Sequence, residues 1–187
     1  GLIARHYELA GEPEKAADFW KQAGDDAKEL GISDQAIQQY ERALKLTPPG
    51  QIARRADILI EIGAMYLISV QVPDARKYLE EGLALACQAE DWKAACGGYF
   101  QLALLIAFSQ DEVDLDQGLA LLHEAEQAAR RIDDADWIAE SISTSGILLV
   151  FQGNVQAGER RMSDSLEYYR QAKEPGTEPV RLLSILA

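Results

Sequence analysis

The chain has 187 residues, 48% of them hydrophobic and 7% aromatic, a composition that excludes a disordered polymer and suits one globular domain. A formal charge of −13 repels phosphate backbones and anionic lipid heads, and basic residues gather no further than pairs such as Arg54-Arg55, so no direct nucleic-acid or membrane contact is expected. The longest apolar stretch, Leu102 to Phe108, is far short of the ~18 residues of a membrane span, and two cysteines, Cys87 and Cys96, make no disulfide framework and read as free thiols of a reducing, cytoplasmic chain.

The chain opens inside a helical pattern, Gly1-Leu2-Ile3-Ala4, with no initiating Met and no basic-then-apolar leader, and reads as a piece of a larger protein. Ala and Leu dominate the apolar positions and favour helix. Turn signals such as Gly11-Glu12-Pro13, Gly31-Ile32-Ser33, Pro48-Pro49-Gly50, Asp133-Asp134 and Gly153-Asn154 separate the runs. The predicted helices are 2–10, 13–30, 33–46, 51–70, 73–89, 91–109, 115–131, 134–152, 155–172 and 178 to the end. Pro13 suits a first turn, where no backbone N–H is missed. Ser33 and Asp74 are expected as N-caps. No alternating strand pattern competes, and short loops between helices dictate antiparallel hairpins.

A pattern of small and large residues recurs four times in both helices of each hairpin. The first copy holds Trp20, Ala23, Gly24 and Ala27, then Ala36, Tyr40 and Ala43. The second holds Leu59, Ile62, Gly63 and Tyr66, then Ala75, Leu79 and Gly82. The third holds Tyr99, Leu102, Ala103 and Ile106, then Gly118, Leu122 and Ala125. The fourth holds Ile142, Ser145, Gly146 and Leu149, then Gly158, Met162 and Ser165. A small residue admits the facing helix, bulky neighbours fill the space beside the contact, and each hairpin leaves one apolar face for the next.

This pattern resembles the tetratricopeptide (TPR) repeat over residues 13–172. Gly24, Gly63, Ala103 and Gly146 lie 39, 40 and 43 residues apart, against about 34 in the common unit, so the resemblance is to a long-period type. Residues 3–17, running from Ile3 through His6-Tyr7 and Gly11-Glu12-Pro13 to Ala17, are similar to the junction that opens TPR arrays in STAND or AAA-like signal-transduction ATPases, adenylyl cyclases and large bacterial transcription regulators. The resemblance implies an all-α, right-handed α-α superhelix, a solenoid of about four hairpins within one repeat domain over 1–187. Its parts are a partial helix at 1–12, repeats at 13–50, 51–90, 91–132 and 133–174, and a partial terminal helix at 175–187.

Chemistry is sparse. There is no phosphate-binding Gly-rich loop and no Gly-x-Ser-x-Gly elbow. His6 and His123 are far apart and read as surface residues. A calcium loop counted from Glu112 meets Gln117 and His123 where Gly and Glu are required. Trp92 and Trp137 each open a hairpin and read as wedges between repeats. No catalytic activity, cofactor or metal is expected.

In TPR arrays the first helix of each hairpin lines the concave face. The resemblance therefore implies a binding surface of Lys21, Asp25 and Lys28, then Ile60, Ala64, Leu67 and Ile68, then Phe100, Leu104 and Phe108, then Ser143, Ile147 and Phe151. The first repeat offers a charged wall and the others an apolar one. The expected function is a protein-interaction or effector-sensing scaffold of a larger cytoplasmic signalling protein, its partner a protein, a peptide or a sibling domain. The alternative is a structural spacer or homo-oligomerisation module that fills the apolar face with a second copy.

Overall fold

The computed structural model describes residues 1–108 and 113–171. These residues form helices α1 (Leu2–Leu9), α2 (Pro13–Glu29), α3 (Ser33–Leu46), α4 (Ile52–Ile68), α5 (Val72–Gln88), α6 (Trp92–Phe108), α7 (Leu115–Arg131), α8 (Ala135–Phe151) and α9 (Val155–Gln171), with no strand among them. The predicted terminal helix from 178, the break at 174–176 and the start of the acidic loop at Asp111-Glu112 lie outside the described residues. Every other predicted helix is present, its ends within two residues of expectation. No helix among the described residues is long and apolar enough to cross a membrane.

The chain forms two compact units, Gly1–Gln101 and Leu102–Ala187, with α6 running across the division. In the first unit α2 packs on α3 and α4 on α5, while α1 adds to α2 and α3 to α4. In the second, α8 packs on α9 and on α7.

One contact recurs in the hairpins. A Cβ on Gly24 would lie 2.5 Å from Cε1 of Tyr40, one on Gly63 2.6 Å from Cγ of Leu79, and one on Gly146 2.7 Å from Cγ of Met162. Each pair is separated by sixteen residues, so each joins the middle of a first helix to the middle of its partner. Tyr40, Leu79 and Met162 are almost fully buried. The third copy spaces Ala103 and Leu122 nineteen residues apart. There the close approach comes from the other helix: a Cβ on Gly118 would meet Cβ of Ala107 at 3.3 Å and the carbonyl oxygen of Ala103 at 3.5 Å.

The turns repeat as well. Gly11, Gly31, Val70, Glu90, Asp133 and Gly153 all have positive φ. At Gly31 the N–H donates to the Lys28 carbonyl and the Ile32 N–H to the Ala27 carbonyl, both at 2.9 Å. The same two bonds close the turn at Val70, from Val70 to Leu67 at 3.0 Å and from Gln71 to Tyr66 at 2.9 Å. This is a Schellman ending, in which a left-handed residue lets the chain satisfy the last carbonyls of one helix and leave at once for the next.

That turn overrides the expected caps at Ser33 and Asp74. The residue after the left-handed one becomes the N-cap and the next begins the helix. Ser33 is therefore already the first residue of α3, behind Ile32, and Asp74 sits inside the first turn of α5, which starts at Val72. Neither accepts a capping bond. Aspartates at the true cap position do: Oδ1 of Asp91 accepts from the Ala94 N–H at 3.1 Å and Oδ1 of Asp134 from the Trp137 N–H at 3.0 Å. After the longer connection, Asp114 accepts from the Gln117 N–H at 2.9 Å. Pro13 and Pro73 occupy first-turn positions of α2 and α5, where no donor is lost.

Two stability predictions follow from this geometry. Gly63→Ala should destabilise the protein by about 1–3 kcal/mol in denaturant unfolding, although the same change on an open helix surface stabilises by roughly 1 kcal/mol. Val70 is a β-branched residue at φ 58°, and Val70→Gly should raise stability by about 1 kcal/mol by relieving the left-handed penalty.

Candidate functional site

In the first unit, the predicted charged wall is a seam between two first helices. Asp18 of α2 meets Arg54 of α4 at 2.7 Å, Lys21 meets Asp57 at 3.3 Å, and Lys28 meets Glu61 at 2.7 Å. Lys21 also bonds Asp25 at 3.2 Å, one turn along α2. The buried Tyr40 donates its phenolic O–H to Oδ1 of Asp25 at 2.8 Å, tying the seam to α3. Burial lowers the Lys21 pKa, but Asp57 and Asp25 outweigh it and hold the ammonium above its ordinary value. Each partly exposed pair contributes about 0–1 kcal/mol. Lys21, Asp25 and Lys28 thus spend their charges on one another and on α4.

The apolar candidates divide by burial. Ile60, Ala64, Phe100 and Ser143 are buried. Ile60 fills the approach of α4 to its neighbours, lying 2.8 Å from where a Cβ of Gly82 would stand and 3.3 Å from that of Gly98. Ser143 turns its hydroxyl back to the Glu140 carbonyl at 3.2 Å. Leu67, Leu104 and Ile147 are half-buried. Ile68, Phe108 and Phe151 are exposed.

Phe108 and Phe151 come together. Their rings meet edge to face with centroids 6.0 Å apart, and the residues are 54% and 61% exposed. They are the last residues of α6 and α8, so two first helices end at one place. Nearby, Gln152 donates its side-chain N–H to Oδ1 of Asp116 in the first turn of α7 at 2.7 Å.

Sequence reasoning missed the polar centre of the second unit. Glu126 of α7 is buried and gathers two arginines. Arg130 reaches Oε1 through Nε at 3.0 Å and Nη2 at 2.7 Å, and Arg161 of α9 reaches Oε2 at 2.8 Å. Arg161 also donates to the Ser145 hydroxyl of α8 at 3.1 Å, and Arg130 to the Tyr168 hydroxyl at 3.0 Å. Arg161 therefore carries the network on to α8, and the Glu126 carboxylate joins α7 to α9. Burial by itself would raise its pKa, but the hydrogen bonds and charges of Arg130 and Arg161 win and hold it below the ordinary value. The i,i+4 spacing of Glu126 and Arg130 was a readable signal; the reach from Arg161 was not.

The rest of the chemistry is plain. Among the described residues no group of three His, Cys, Asp or Glu side chains is placed to hold a metal ion. His6 and His123 are exposed on α1 and α7. Cys96 is buried, and Cys87 is half-buried with its sulfur 3.7 Å from the Tyr99 hydroxyl. Trp92 and Trp137 are half-buried in the first turns of α6 and α8.

The hairpins have counterparts among solved structures. BtubC (BKLC) from P. vanneervenii superposes with a TM-score of 0.71 at 17% identity, over 88% of this chain and 68% of that one. MamA from Desulfovibrio magneticus RS-1, residues 41 to the end, gives 0.59 at 19% identity over 92% and 94% of the two chains. A MamA RS-1 double mutant gives 0.57 at 20% identity. The fold is a TPR-like helical repeat. No family model and no curated protein sequence matches the chain.

The Glu126 centre predicts a pH dependence. A depressed carboxylate pKa stabilises the folded state fully above the ordinary value of 4.5, and the contribution is lost as pH falls through the lower folded value. Glu126→Gln should cost about 2 kcal/mol at neutral pH. The difference between variant and parent, read from denaturant midpoints, should shrink steadily on acidification below that value.

Proposed function

We propose that this chain is a TPR-type protein-interaction scaffold, with no catalytic site of its own, in a larger cytoplasmic signalling or regulatory protein. The resemblance of its opening segment to the array junction of STAND-type ATPases supports the regulatory setting, and a chain with only two cysteines carries no disulfide framework, which suits a reducing compartment.

One observation carries the interaction reading. The repeat contacts use up the bulky residues of the hairpin interiors, yet Phe108 and Phe151 stay more than half exposed and in mutual contact. Aromatic residues at the ends of rigid helices give a large contact area at little entropic cost, which is what a binding anchor requires. Ile68, also exposed at the end of a first helix, offers a similar apolar end in the first unit.

The competing use of such a face is self-association. The high negative charge opposes it, since two copies bring like charges together. Size exclusion with light scattering should find a monomer across a wide concentration range, and Phe151→Glu should leave the mass unchanged. A dimer that Phe151→Glu dissociates would make this face a homo-oligomerisation surface and contradict the scaffold reading.

A further inference from the structure

Charge is unevenly distributed along the second unit. Arg130 and Arg131 lie in the last turn of α7, and Arg130 and Arg161 are engaged by Glu126. Arg170 lies in the last turn of α9. The Phe108–Phe151 end is opposite: α6 and α8 finish there while α7 and α9 begin there. The helix dipoles at this end, two of each sign, largely cancel, so side chains set its potential. Among the described residues within a turn of these helix ends, those side chains are Asp114 and Asp116. Both bond neutral N–H donors, the Gln117 backbone and the Gln152 amide, so neither carboxylate is neutralised by a cation in those contacts. The nearest cation on α9, Arg160, lies more than a turn into the helix and beside Glu159.

This end therefore combines an exposed aromatic pair, and the exposed Val113 just ahead of α7 and Val155 at the start of α9, with carboxylates whose contacts are to neutral donors. All described elements are helices, so an extended peptide finds no strand edge to pair with. A helix does fit. Bulky residues one turn apart on a helix are about 5–6 Å from each other, close to the 6.0 Å between the Phe108 and Phe151 rings, and side chains so spaced can straddle the pair.

We infer that the Phe108–Phe151 end docks an amphipathic helix of a partner protein, with an aliphatic stripe on the two rings and a Lys/Arg rim facing Asp114 and Asp116. This partner chemistry rests on the interaction-scaffold reading and narrows it. The apolar stripe supplies the contact area, and the basic rim selects against acidic helices and against a second copy of this chain.

Two designed peptides test it: helices with the same Leu stripe, one with a Lys rim and one with a Glu rim, titrated into the full chain by fluorescence anisotropy. The Lys-rim peptide should bind at least about tenfold more tightly, and the advantage should shrink as salt rises from about 0.05 to about 0.5 M. Asp114→Asn with Asp116→Asn removes the charges while keeping a good N-cap and an acceptor for Gln152; it should abolish the preference. Phe108→Ser with Phe151→Ser should abolish binding of both peptides while helix content by circular dichroism stays at the parent value. Equal binding of the two rims, or a preference untouched by the Asn pair, overturns the basic partner and leaves the scaffold reading standing. Lys-rim binding that survives the Ser pair, or no binding by either peptide, overturns docking at this end; the scaffold reading is decided separately by the mass measurement.

Discussion

The fold depends on two helices approaching at one side chain's breadth. At Gly24, Gly63 and Gly146 there is no room for a methyl group, because Tyr40, Leu79 and Met162 occupy it. A bulky residue seated in a glycine notch fixes both the depth and the register of a hairpin. Once register is fixed, residues such as Ile58, Ile62 and Leu148 face a neighbouring element and are buried there. The Schellman turns serve the same end, since a left-handed residue and a single cap residue leave no slack for the second helix to slide.

Helix positions and the glycine notches were legible in the sequence because both are local. Periodicity and turn residues report the helices, and sixteen residues separate notch from plug at Gly24, Gly63 and Gly146, though not in the third copy. The caps were misread for a local reason too: Ser33 and Asp74 are good capping residues by type, but the turn geometry puts the cap one step earlier, at Ile32, or, for α5, at Gln71. The surface was less legible. Ile60 and Phe100 share a helical face with residues that end exposed, and only the neighbouring helices decide which are covered. Phe108 and Phe151 were readable as members of that face; their meeting was not, since it depends on where α6 and α8 end in space. The Glu126 centre was half legible, because one arginine is a turn away on α7 and the other comes from α9.

Polar groups in this molecule are mainly structural. The α2–α4 seam and the Glu126 centre each satisfy charges against charges across helices. Such networks fix which helix faces which more than they add net stability, because desolvation offsets much of the attraction. The exposed phenylalanines take no part in these networks, and the contacts of the two aspartates beside them are to neutral donors, so the interaction reading rests there.

The central claim is that glycine notches hold the hairpins as nearest-neighbour units. Hydrogen exchange read by mass spectrometry on Gly146→Val tests it most directly. The account predicts that protection falls mainly in α8 and α9, whose shared notch is filled, while α2 to α5 keep the protection of the parent chain. An even loss of protection from α2 through α9 would mean that the chain is stabilised as one indivisible core, and would contradict the account.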